Sequence, residues 1–99
     1  MQYFNYTPHK IVLNDGRSFK SNGVARVSAS FTAFNGDVCR QTFGEVNGLP
    51  EPREGVTLIV SAMVLSASKR HDLVAPATGH PETVRNDQGH IVSVPGFVK

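Results

Sequence analysis

The sequence predicts an α+β domain in which antiparallel β-hairpins form a twisted sheet or a partly closed barrel with one short helix. Turn sequences rich in Gly, Asn and Asp separate short runs of alternating or β-branched residues along most of the chain. One continuous apolar run, residues 56–60, leads into a segment with helical apolar spacing. The length of 99 residues fits a single domain over residues 1–99, with a small core.

The first predicted hairpin lies near the N-terminus. Pro8 disfavours helix at the preceding residue, and the run 11–13 favours a strand. Asn14-Asp15-Gly16 supplies the residues that a tight turn needs, and Phe19 follows on a short return strand. We therefore expect residues 3–14 to be extended and to turn back at Gly16.

The second predicted hairpin spans the segment 24–46. Apolar residues alternate with polar ones over 24–33, which is the period of a half-buried strand. Asn35-Gly36-Asp37 forms a turn, and residues 38–46 form the partner strand. Gly44 inside that strand marks a β-bulge.

A proline-rich connection, residues 47–55, precedes the most apolar strand of the chain. The run 56–60 is β-branched and uninterrupted, so we expect a central strand buried on both faces.

Ser61 is expected to cap a helix over residues 62–70, with its hydroxyl accepting from a backbone N–H in the first turn. Met63, Val64 and Ala67 would form the apolar stripe of this helix. Lys69 and Arg70 would lie at its C-terminus, where the helix dipole favours cations.

The chain then reads as a loop over residues 72–80, followed by a last hairpin. Its strands are expected at 83–85 and 91–94, joined by the turn 86–89 that ends in Gly89.

Composition and charge restrict the class of protein. Hydrophobic residues make up 39% and charged residues 18% of a chain with net charge +2, which indicates a folded globule. The basic residues form no stripe with interleaved aromatics, so we expect no nucleic-acid partner. The single Cys39 excludes an internal disulfide and indicates a reducing cytoplasmic compartment. No signal peptide or membrane span is expected, and the small core leaves homo-oligomerisation open.

A candidate ligand site lies where the predicted central strand enters the helix. Backbone N–H groups at Ser61 and Ala62 could receive an anion, assisted by Arg70 and Asp72 after the helix. Arg26 or Arg85 could add a further cation. A P-loop is absent, and the simpler interpretation is a capped helix with Arg70 paired to Asp72.

Catalytic and metal sites are not expected. The four histidines (His9, His71, His80 and His90) have none of the spacings that place metal ligands on one face. Ser61, His71 and Asp72 supply the residue types of a hydrolase triad, but adjacent His and Asp side chains seldom face each other, and no nucleophile elbow surrounds Ser61. We expect no enzyme activity and no cofactor.

The proline-rich loop is the candidate for protein contact. Glu51, Arg53 and Glu54 lie on a stiff, exposed corner where charged side chains can meet a partner. The simpler interpretation is that these charges are only solvated.

Several short sequence segments, in this order along the chain, carry a family resemblance: N-Y-T-P-H, G-V-A-R-V, F-G-E-V-N-G-L-P-E-P-R-E-G, L-I-V-S-A, R-H-D-L-V-A-P and V-R-N-D-Q-G-H-I. Over residues 5–97 the chain resembles a family of small uncharacterised proteins of phages and prophage-bearing bacteria. The resemblance implies no catalytic residues. It implies an accessory protein that binds a host protein, a nucleic-acid machine or a defence signal.

The leading functional hypothesis is therefore non-catalytic binding of a host protein, with inhibition of a host or anti-phage defence component. One alternative is capture of an anionic nucleotide-type signal at the Ser61 helix start. Another is a minor structural part of a virion.

Overall fold

The computed structural model describes residues 2–99 and confirms the α+β class. Within these residues no sheet closes into a barrel. The elements are β1 (Gln2–Asn5), β2 (Ile11–Val12), β3 (Ser18–Phe19), β4 (Arg26–Phe31), β5 (Gln41–Asn47), β6 (Val56–Ile59), α1 (Ala62–Ala67), β7 (Leu73–Pro76), β8 (Val84–Arg85), β9 (Ile91–Ser93) and β10 (Phe97–Val98).

The three predicted hairpins are present as the antiparallel pairs β2–β3, β4–β5 and β8–β9. Their turns contain Gly16, Gly36 and Gly89, each with a positive φ that other residues seldom adopt. The first and last hairpins meet where Leu13 and Val94 form a β-bridge. Local turn chemistry therefore determined these hairpins.

The largest sheet is mixed, with the strand order β1-β6-β7-β10. β1 and β6 are parallel, β6 and β7 are parallel, and β10 runs antiparallel to β7. The helix α1 lies in the crossover between β6 and β7, as parallel neighbours require. These parallel pairs add to the antiparallel hairpins that local turn signals indicate.

The expectation of a loop over residues 72–80 is wrong for its first half, which forms β7. Leu58 N donates to Asp72 O and Val60 N to Val74 O, both at 2.8 Å. Pro76 occupies the last position of the strand, where a missing N–H is tolerated. The run is only four residues long, so Pro76 and the following Gly79 and Pro81 dominated the sequence signal of the segment.

The strand β6 is central and buried on both faces, as predicted. Leu58 and Val60 pack into one hydrophobic cluster, whereas Ile59 between them packs into the other. All three are at most 1% exposed. Burying each such side chain stabilises the fold by about 1.5–3 kcal/mol, so β6 joins the two clusters into one core.

The two clusters have different partners. Cluster 1 lies between the first and last hairpins and consists of Ile11, Leu13, Ile59, Val74 and Val94. Three aromatic side chains pack against it, and the ring of Tyr3 lies 5.8 Å from that of Phe19 and 5.1 Å from that of Phe97. Cluster 2 lies under the helix and includes Val64, with Val27 and Val46 packed against it.

Asn5 is a fully buried polar residue at the end of β1. Its Nδ2 donates to His9 O at 2.7 Å and to Phe19 O at 2.9 Å. Its Oδ1 accepts from Thr7 N at 2.9 Å and from Thr7 Oγ1 at 2.6 Å. These four bonds use the full capacity of the amide and fix the segment 7–9 against β3.

The helix begins as predicted and ends early. Ser61 is the N-cap, and its Oγ accepts from Val64 N at 3.3 Å. The helix ends at Ala67 because Ser68 is extended, so the prediction that Lys69 and Arg70 lie in the last turn is wrong. Met63 is exposed and does not belong to the buried stripe, in which Val64 is the buried residue.

Within residues 2–99, no helix has the length and apolar character needed to span a bilayer.

Candidate functional site

The predicted ligand residues Ser61, Ala62, Arg70 and Asp72 do not form one site. Ser61 and Ala62 line a cleft of about 490 Å³, together with residues of the segment 7–12. Arg70 lines a different depression of about 370 Å³, beyond the other end of the helix. The helix between them has six residues and is about 9 Å long. A single small anion would not be shared by Ser61 and Arg70.

Arg70 and Asp72 form a two-pronged ion pair. Arg70 Nε lies 2.9 Å from Asp72 Oδ1, and Arg70 Nη2 lies 2.6 Å from Asp72 Oδ2. The side chains are only 27% and 16% exposed. Hydrogen bonding to the guanidinium lowers the pKa of Asp72, and the same bond raises the pKa of Arg70. The pair fixes the turn that leads from the helix into β7.

The proline-rich loop is exposed at all three predicted contact residues, Glu51, Arg53 and Glu54. The carboxylate of Glu51 contributes to the raised pKa of Arg70 through its charge. The loop begins at Gly48, which packs closely against the backbone of Val24 and Ala25.

The histidines lie apart. His9 lines the cleft and His71 the depression, whereas His80 accepts from Glu82 N at 3.0 Å through Nδ1. Across residues 2–99 no three His, Cys, Asp or Glu side chains are grouped to hold a metal ion.

The most distinctive surface belongs to the hairpin of β4 and β5, residues 26–47, which we call the arm. Its ladder continues to the tip, where Thr32 N donates to Arg40 O and Asn35 bridges Val38. The radius of gyration of the chain is 15.4 Å, whereas about 13 Å is typical of a 100-residue globule. The molecule is correspondingly flat, with extents of 48 × 39 × 19 Å.

A β-bulge at Gly44 shapes the arm, as the sequence predicts. Val27 pairs with Val46 and Ala29 pairs with Phe43, so Ser28 lies opposite the two residues Gly44 and Glu45. A Cβ at Gly44 would collide with the hydroxyl of Ser28. Glycine at the bulge therefore allows the two strands to approach closely.

One face of the arm is mainly apolar, with Gln41, the partner of Phe31, as its polar member. Val27 and Val46, at the base, pack against the cluster under the helix. Ala29, Phe43 and Phe31 continue on the same face, because paired residues and alternate residues of a strand share a face. Beyond Val27 the burial ends: every residue of β4 from Ser28 to Phe31 is exposed.

Phe34 and Val38 flank the turn at the tip and are also exposed. We call Ala29, Phe31 and Phe43 the apolar arm face. The exposed large side chains of the face and the tip are between 47% and 71% exposed. The rings of Phe31 and Phe43 present roughly 200 Å² of aromatic surface. The expectation of a half-buried strand over residues 24–33 thus holds only at the base of the arm.

The opposite face of the arm is polar. Ser30 Oγ and Thr42 Oγ1 lie 2.8 Å apart in a hydrogen bond. The charged side chains of the arm are two basic and two acidic (Arg26, Arg40, Asp37 and Glu45), so its net charge is zero. Recognition by the arm would therefore depend on apolar contact more than on charge.

No family model matches the chain, and neither a curated protein nor a solved structure is similar to it. The function has to be inferred from the geometry of the surface.

Sequence reasoning identified the strands of the arm but missed its exposure. The available signal was the spacing of Phe31, Phe34 and Phe43 around the turn at Gly36, since aromatics close to a hairpin tip are far from any core. The cleft beside Ser61 was missed because it depends on strands that are distant in sequence.

Proposed function

We propose that this protein is a non-enzymatic binding protein that docks on a protein partner through the apolar arm face. It acts as a small phage-type accessory protein in the cytoplasm of a bacterial host, and it inhibits a host or anti-phage defence component by covering part of its surface. The carrying observation is the row Ala29, Phe31 and Phe43, which continues a core face into solvent.

The composition of the arm face supports a protein partner. Aromatic residues are enriched, and charged residues depleted, at the centres of protein interfaces. Exposed apolar side chains that lie together on a protein surface often mark interaction sites. An isolated two-stranded hairpin is also only marginally stable in water, so a bound partner would stabilise the arm.

The proline-rich loop supplies a polar rim in this proposal. A typical interface covers about 800 Å² on each partner, which exceeds the area of the aromatic patch. Glu51, Arg53 and Glu54 follow the base of the arm in the chain and are exposed. They would contribute to specificity more than to affinity, because rim charges act mainly on the rate of encounter.

The nucleotide-binding alternative receives less support. Arg70 is engaged by Asp72, and it lines a different depression from that of Ser61 and Ala62.

Affinity capture from a lysate of the host bacterium tests the proposal. The tagged wild-type protein should retain one discrete partner, and the partner should be lost with the double variant Phe31→Ser/Phe43→Ser. The matched control is Ser30→Ala/Thr42→Ala, which changes the polar face of the same two strands and should retain the partner.

Gel filtration of the purified protein completes the test. Elution as a monomer or small oligomer agrees with the proposal, whereas elution as large particles would support a virion structural part. Retention of the same partner by both double variants would remove the arm face from the proposed function.

A further inference from the structure

A second surface lies on the main sheet and shares no residue with the apolar arm face. The parallel strands β1, β6 and β7 end at the same edge of the sheet. The cleft of about 490 Å³ lies at this edge and is lined by residues that follow each strand: Thr7 to Lys10 after β1, Ser61 and Ala62 after β6, and Thr78 after β7. Crevices at the carboxyl ends of parallel strands are where open sheets with helical crossovers bind ligands.

The walls of the cleft are largely apolar. Ile11 and Val12 of β2 line the cleft in one hairpin, and Ile91 and Val92 of β9 line it in the other. Val92 is an apolar residue of the cleft and is 52% exposed, so a ligand can reach it. Both the volume and the apolar lining are typical of small-molecule sites, which span about 300–1,000 Å³.

The ionisable side chains that line the cleft within residues 2–99 are basic. Among the described residues that line it, His9 and Lys10 are the ionisable ones, and no carboxylate is present. The hydroxyl of Ser61 caps the helix and that of Ser93 donates to Asn14 Oδ1 at 2.6 Å. A ligand here would therefore meet an apolar surface with a cationic rim.

The backbone of the rim at His9 is held in place by hydrogen bonds. Asn5 binds the carbonyl of His9 through Nδ2, and Thr7 Oγ1 donates to the same carbonyl at 2.9 Å. Asn5 and Thr7 are buried, so the donor ends of these bonds are shielded from water. Because this backbone is already ordered, binding of a ligand costs less conformational entropy.

We propose that this cleft binds a small apolar molecule that carries one anionic group, such as an aryl or alkyl carboxylate or sulfonate. The apolar body packs between Val12 and Val92, and the anion lies beside Lys10. The site is separate from the apolar arm face and does not depend on the proposed protein partner.

Fluorescence titration with 8-anilinonaphthalene-1-sulfonate tests the site. The wild-type protein should bind the probe saturably. Lys10→Glu should raise the Kd about three- to tenfold, because an attraction becomes a repulsion. Its matched control is Lys20→Glu, which makes the same change of net charge at an exposed residue outside the cleft and should alter the Kd less than about twofold.

Two further measurements separate the cleft from other apolar surfaces. Val92→Asp should raise the Kd about tenfold or more, whereas Phe31→Ser/Phe43→Ser on the arm should leave it unchanged. N-phenyl-1-naphthylamine has the same rings without the sulfonate, so its binding should be insensitive to Lys10→Glu.

Circular dichroism identifies any variant that fails to fold. If Val92→Asp does not fold, the comparison of Lys10→Glu with Lys20→Glu still tests the site. Absence of saturable binding, equal Kd values for Lys10→Glu and Lys20→Glu, or loss of binding in the arm variant would each overturn the proposal.

Discussion

The main sheet and the arm are built from similar residues and have opposite surroundings. In β6, Leu58 and Ile59 are covered, one from each face, and so is Val60 directly after the strand. In β4, the strand alternates polar and apolar residues as a half-buried strand does, yet from Ser28 to Phe31 neither face is covered. The fold therefore uses the apolar residues of β6 for stability and leaves those of the arm in solvent.

This difference follows from topology. β6 is flanked by strands on both edges and by packed side chains on both faces, which parallel strands require. The arm is a two-stranded sheet that touches the core only at its base, through Val27 and Val46. Apolar side chains that add little to folding are free to contribute to binding.

The largest expected effect is in the main sheet. Leu58→Ala should lower the free energy of unfolding by about 3–4 kcal/mol, because it opens a cavity in a fully buried site. Phe31→Ala in the arm should change it by less than about 0.5 kcal/mol, since the ring is already in solvent. Urea denaturation measures both, and similar losses in the two variants would show that the arm packs on the core.

Loss of the buried amide of Asn5 should lower the free energy of unfolding nearly as much as Leu58→Ala does. Asn5→Ala removes four hydrogen bonds and leaves the carbonyls of His9 and Phe19 without this donor, at a cost of about 2–3 kcal/mol. Asn22→Ala is the control, because Asn22 is exposed and should cost less than about 0.5 kcal/mol. Thermal unfolding compares the two; equal midpoints would contradict a structural role for Asn5.

Loss of the Arg70–Asp72 ion pair should lower the free energy of unfolding by an intermediate amount that depends on pH. The hydrogen-bonded guanidinium lowers the pKa of Asp72 from 3.8, so the pair stabilises the folded state fully above about pH 4. This stabilisation is lost as the pH falls through the folded-state pKa. Asp72→Asn should cost about 1–2 kcal/mol at pH 7, and its difference from the wild type should shrink below pH 4.

Asp15→Asn provides the exposed counterpart. Hydrogen bonding to Arg17 also lowers the pKa of Asp15, but both partners are exposed, so the substitution should have a smaller effect than Asp72→Asn. Denaturation curves across pH 2–7 compare the two variants. A constant, pH-independent loss in Asp72→Asn would refute the ionic origin of its effect.

The bulge in the arm should give the smallest measurable loss of stability. Gly44→Ala places a methyl group against the hydroxyl of Ser28 and should cost about 1 kcal/mol. Adding Ser28→Ala should recover part of this loss, while Gly79→Ala, where a methyl meets open space, should be neutral. Unfolding of these variants forms a double-mutant cycle; additive losses would mean that Gly44 and Ser28 do not contact.

The parts of the fold that the sequence predicted are those with local causes. The hairpin turns at Gly16, Gly36 and Gly89 require a positive φ, and the cap at Ser61 is a contact within one helical turn. β6 was predictable because five consecutive apolar or β-branched residues leave few alternatives. Each of these signals is contained in fewer than about ten residues.

The parts that were missed depend on distant partners. β7 is a strand because Asp72 and Val74 accept bonds from Leu58 and Val60, and nothing in its short, proline-ended sequence shows this. The cleft combines residues from the N-terminal segment, the helix start and the last hairpin. The exposure of the arm depends on where the core ends, which periodicity alone does not give.

Site-specific photo-crosslinking tests the role of the arm most directly. A p-benzoylphenylalanine placed at Phe31 lies on the apolar arm face, and the same residue placed at Ser30 lies on the opposite face of the same strand. After irradiation in the host bacterium, we expect one discrete protein adduct from position 31 and none from position 30. No adduct from position 31, or the same adducts from both positions, would contradict docking through the apolar arm face.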